Sequence, residues 1–101
     1  MKRSFTTFLR VFFRGPTQHE RYSVKHIGHY KFEYIEDDHR VIIYGESAGF
    51  FPSKIYFSTE ELSRWQPPYD NELMSNEKSD EIRQRFMDYF NEIGFGPIIF
   101  D

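Results

Sequence analysis

The sequence predicts an α+β domain, an antiparallel β-sheet with one long C-terminal amphipathic helix packed on one face and a short final strand. Two patterns carry this reading. Up to Ser58 apolar and aromatic residues alternate with polar ones in short runs, the period of a half-buried strand. Beyond Met74 the period changes, and Ile82, Phe86, Tyr89, Phe90 and Ile93 fall on one helical stripe. Strands first and one helix after them belong to the α+β class.

Taken in order, Phe5 to Phe13 places Phe, Thr, Leu, Val and Phe on odd positions with Arg10 and Arg14 on the even side, and Gly15 and Pro16 end that strand. In YSVKHIGHYKFEYI, Tyr22, Val24, His26, Tyr30, Phe32 and Tyr34 share a face. Gly28 interrupts the run as a bulge or bend, so the segment is one long strand or two short ones. Tyr30–Ile35 and Arg40–Tyr44 then read as a hairpin whose charged tip is Glu36 to His39. ESAGFFPS is expected to be a loop, and Lys54 to Ser58 a further short strand.

Ser58 and Glu61 have capping-box spacing and start one helical turn, which Pro67 and Pro68 stop because neither has an amide hydrogen. Ser75 or Asn76 caps the long helix, acids fill its first turns, and Gly94 ends it. Pro97 precedes the last strand. Without repeats or linkers, the 101 residues form a single domain spanning residues 1–101.

Twelve Phe, seven Tyr and one Trp in that length argue for a packed core and against disorder. With no cysteine there is neither disulfide nor thiolate chemistry, which suits a reducing cytoplasm. The apolar N-terminal run is broken by Arg10 and reads as mature structure, and no window approaches the roughly 20 apolar residues of a membrane span.

The net charge of −3 hides an asymmetry, since residues 1–31 hold seven Lys or Arg against Glu20, a balance of +6, and the remainder balances to −9. Opposite strands side by side in one sheet explain this in the ordinary way; an acidic surface offered to a basic partner explains it functionally. The early cations Arg3, Arg10, Arg14, Arg21, Lys25 and Lys31 lie among aromatics as in single-strand nucleic-acid binders, but the acidic remainder repels phosphate. Direct nucleic-acid binding therefore ranks third.

Catalysis ranks last. No serine stands in a nucleophile elbow, no glycine-rich loop could cradle phosphate, and no metal or cofactor set is spaced along the chain. His26 and His29, three apart in a strand, point to opposite faces, while His19 and His39 fall in expected loops. Trp65 reads best as a lid over a sheet edge. The competing reading joins it with Tyr69, Asp70, Asn71 and Glu72 in a patch preordered by the prolines.

The acidic-tipped hairpin, KIYFS, RWQPPYD, the helix entry MSNEKSDEI with RFMDYFNEIGF, and the closing PIIF together resemble the small immunity proteins of bacterial contact-dependent growth inhibition and related polymorphic toxin systems. The likeness covers residues 30–101. It implies a chain that is not an enzyme and that binds a cognate toxin domain, usually a nuclease, by covering a basic active site or substrate groove with an acidic surface. The acids expected to do so are Glu36, Asp37 and Asp38 at the hairpin tip and Asp70 and Glu72 after the prolines, with Tyr69 adding contact area. Glu33 and Glu46 are weaker candidates. The alternative is a small non-enzymatic regulatory or adaptor domain that binds protein through the same surfaces.

Overall fold

The computed structural model describes residues 21–49 and 54–101. The strand expected at Phe5–Phe13, with Gly15, Pro16 and His19, lies outside them, as do Phe50–Ser53 of the expected loop.

The architecture is α+β. Five strands, β1 (Tyr22–Gly28), β2 (Lys31–Glu36), β3 (His39–Ala48), β4 (Lys54–Phe57) and β5 (Ile98–Phe100), form one sheet in chain order, with α1 (Asn76–Ile93) inserted before the last. The first four strands pair antiparallel, and β5 pairs parallel to β4. A parallel neighbour needs a crossover, which a short 3-10 helix (Thr59–Ser63), the proline loop and α1 supply.

The alternation that marked the strands decides which face is buried. Val24, Phe32, Tyr34, Val41, Ile43, Ile55 and Phe57 form the sheet's share of the core, met by Ile82, Phe86, Tyr89 and Phe90 of α1. Phe32 is the hub, its ring centroid 4.9 Å from Phe90, 5.1 Å from Phe95 and 6.0 Å from Phe57. The register slips between His26 and Gly28, so the interruption at Gly28 is a bulge and the long run is two strands, β1 and β2.

Several details differ from expectation. The loop expected from Glu46 is strand as far as Ala48, because Gly45–Ala48 pair with β4. The hairpin tip is tighter, since Glu36 and His39 are paired residues and only Asp37 and Asp38 form the turn. Asp37 takes a left-handed φ of 57°, a conformation Asp tolerates better than most residues. Ile93, placed on the buried stripe by spacing, is exposed, and Phe95 packs on Phe90 instead.

Both helix ends follow the residues that cap them. Ser75 Oγ accepts from Lys78 N, and Gly94 is left-handed at φ 72°, with Phe95 N donating to Phe90 O and Gly94 N to Asn91 O. Ser58 caps the 3-10 helix through Glu60 N. Glu61 does not complete the capping box; its Oε1 accepts from Tyr44 N at 3.0 Å. No helix among the described residues is long and apolar enough to cross a membrane.

Candidate functional site

Where β4 stops short, the first half of β3 is edged by the chain leaving the 3-10 helix. Gln66 N donates to Arg40 O at 2.8 Å, and this contact lays Trp65, 7% exposed, into the core beside the start of β3. Pro67 and Pro68 then turn the chain outward, and Tyr69 N and Glu72 N donate back to Gln66 O and Tyr69 O. The loop is therefore stitched both to the sheet and to itself.

On that base the turn and the loop meet at His39. Its ring stacks on Tyr69 with centroids 3.7 Å apart and meets Trp65 edge-on at 5.0 Å. Nδ1 lies 3.1 Å from Asp38 Oδ1 and Nε2 3.0 Å from Glu72 Oε1, while Tyr69 Oη donates to Asp38 Oδ2 at 2.6 Å. Two carboxylates on the two ring nitrogens are satisfied together only by the imidazolium, which donates from both. Burial against the rings lowers the pKa of His39, but the bonds to Glu72 and Asp38 outweigh it and hold the group above its ordinary range. The hydrogen bond from Tyr69 correspondingly lowers Asp38. A cavity of about 180 Å³ opens here between Glu36, Asp37, His39, Trp65 and Glu72.

The expected site residues separate into two sets. Asp37, Asp38, Tyr69, Asp70 and Glu72 belong to this turn and loop, although the two stretches are over 30 residues apart in sequence. Asp37 carries Arg21 at 2.6 Å in an exposed pair, and Asp70 is exposed. Directly after Glu72 in the loop, Leu73 is 99% exposed, an apolar side chain standing fully in water.

Glu33 and Glu46 lie elsewhere, and Glu36, although it lines the cavity at His39, is drawn toward the helix. Glu36 turns inward, accepting from Tyr34 Oη and from Lys78 Nζ at 3.0 Å, with Arg85 at 3.5 Å. Burial raises its carboxyl, yet the bonds from Tyr34 and Lys78 prevail and leave it below its usual value. Glu33 is 6% exposed, held between Lys25 at 3.6 Å and Arg40 at 3.1 Å on the face opposite α1. Glu46 is seven residues along β3 from His39, roughly 23 Å at strand rise, and lines a different groove with Tyr44, Tyr56, Glu60, Glu61 and Asp101.

His39 and Leu73 were not among the expected site residues. A signal for His39 existed, because Val41 and Ile43 face the core and the period of two puts position 39 on the same side. Leu73 has no signal beyond its type, since burial of a loop residue depends on contacts the sequence does not order. Among the described residues no group of three or more His, Asp and Glu side chains is spaced to hold a metal ion.

No family model matches the chain, and neither does a curated protein or a solved structure.

Proposed function

We propose that this chain is an immunity protein that binds and neutralises a cognate bacterial toxin domain, a nuclease, in the cytoplasm of the cell that makes both. The observation that carries the reading is the lock formed by Asp38, His39, Tyr69 and Glu72, which presents two distant acidic stretches as one surface. Nuclease sites are basic so as to hold phosphate, and a complementary acidic face gains rate and selectivity of association. Leu73 supplies what charge alone lacks, an apolar contact held on a loop whose backbone is already ordered.

Binding fits this constellation better than catalysis. A general base needs a free lone pair, and both nitrogens of His39 are engaged by carboxylates. Glu33 and Glu36 are largely buried in their ion pairs and Glu46 lies toward the other end of β3, so the proposed contact residues are Asp37, Asp38, Tyr69, Asp70 and Glu72.

The test is to capture the partner from host lysate with the tagged chain and to assay the retained material for nuclease activity with and without the chain. A nuclease silenced in the complex, and no longer retained by Asp70→Lys/Leu73→Ala, is the expected result. A partner without toxic activity would favour the adaptor reading. Retention unaffected by those two substitutions would move the interface off this surface.

A further inference from the structure

The lock at His39 joins two elements that are also tied by the hydrogen bond from Tyr69 Oη to Asp38 Oδ2. On one side is the β2–β3 turn with Asp37 and Asp38; on the other is the loop from Pro67 to Met74 with Tyr69 and Glu72. The groups that face the imidazole come from every neighbouring segment. Asp38 meets Nδ1, Glu72 meets Nε2, Tyr69 covers one ring face, and Trp65 closes the core side. Glu36 and Asp37 line the same cavity, but Glu36 is engaged by Lys78 and Arg85, and Asp37 by Arg21. Glu72 and Asp38, the latter also accepting from Tyr69 Oη, are the acids that meet the imidazole.

We propose that His39 is a proton-operated pin on this face. Protonated, it donates to both carboxylates and ties the turn to the loop through Glu72, beside the standing hydrogen bond from Tyr69 to Asp38. Neutral, it has a single N–H, so one of the two carboxylates faces a lone pair and that contact opens. The face is then looser, and Asp38 and Glu72 are no longer offset by an internal cation. A basic partner meets a more negative surface above the titration than below it. The use of the pin in binding rests on the partner reading above, whereas the pin itself is a property of the free chain.

The sign is fixed by the geometry. The folded state holds the proton more tightly than the ordinary histidine value of 6.5. The tie therefore contributes fully below that value and is lost as pH rises through the folded-state midpoint.

The experiment uses the free, full chain. Imidazole proton resonances are followed by NMR from about pH 5 to pH 9, the range in which a histidine titrates, with His39 assigned by its disappearance in His39→Gln. Amide protection factors of Tyr69 and Glu72 are measured across the same range. The expected midpoint for His39 lies above 6.5 and moves down in Glu72→Gln, which removes one acceptor charge without touching the core. Protection of the loop amides should fall about tenfold through the titration in the wild-type chain and show no such step in His39→Gln. A midpoint at or below 6.5, a midpoint indifferent to Glu72→Gln, or loop protection that is flat with pH would each overturn the proposal. Such failure leaves the toxin-binding reading standing, and a captured partner without toxicity would overturn that reading while leaving the titration intact.

Discussion

Gly45 shows how a single missing atom shapes the core. A Cβ there would lie 2.8 Å from two carbons of the Phe57 ring and 3.0 Å from Ile55 Cγ2, so the glycine lets the ring lie flat across β3. Gly45→Ala should therefore destabilise by about 1–3 kcal/mol through overpacking, read from the denaturant midpoint; an unchanged midpoint would mean that the ring has room to withdraw. Glu36 answers to pH in the opposite sense to His39. Its folded-state pKa is lowered, so its pairing contributes above the unfolded carboxylate value and is lost as acid protonates it. Glu36→Gln should lower stability at neutral pH and flatten the acid limb of the stability curve, and a limb of undiminished slope would show that other carboxylates carry the acid sensitivity.

At the scale of elements, α1 was the most legible part of the chain because its limits are written in single residues. Ser75→Ala removes the acceptor for Lys78 N and should cost about 1 kcal/mol. Phe86→Ala truncates a fully buried ring between sheet and helix and should cost roughly 3–5 kcal/mol. A loss below about 1 kcal/mol on thermal or chemical unfolding would mean that the site collapses around the cavity. Ile93 was misplaced for a physical reason, since its spacing is right but the chain reverses at Gly94 and Phe95 folds back onto Phe90 and Phe32. The strand at Glu46–Ala48 was hidden because what makes it strand is β4, a partner across a Gly- and Pro-bearing segment that reads as loop. The core face of β2 and β3, by contrast, follows from alternation alone.

For the molecule as a whole, the sheet-and-helix class could be read from period, whereas the candidate site could be read only in halves. Acidic tip and proline loop were each visible; their union depends on Gln66 docking against Arg40 and on His39 facing inward, and neither is a local property. If the joined face is the contact surface, Asp70→Lys should weaken partner binding at least tenfold, while the thermal midpoint stays within a degree or two because Asp70 is exposed. Equal affinity would remove the loop from the interface. The parallel pairing of β5 with β4 has a further meaning in the order of synthesis. The four strands β1 to β4 pair antiparallel with their neighbours in chain order, but the second edge of β4 must wait for Ile98–Phe100, about 40 residues downstream. Until then β4 presents a bare edge and Phe57 lacks the Phe100 ring that stacks on it. A chain that lacked Ile98–Phe100 would thus carry a sheet left open along β4.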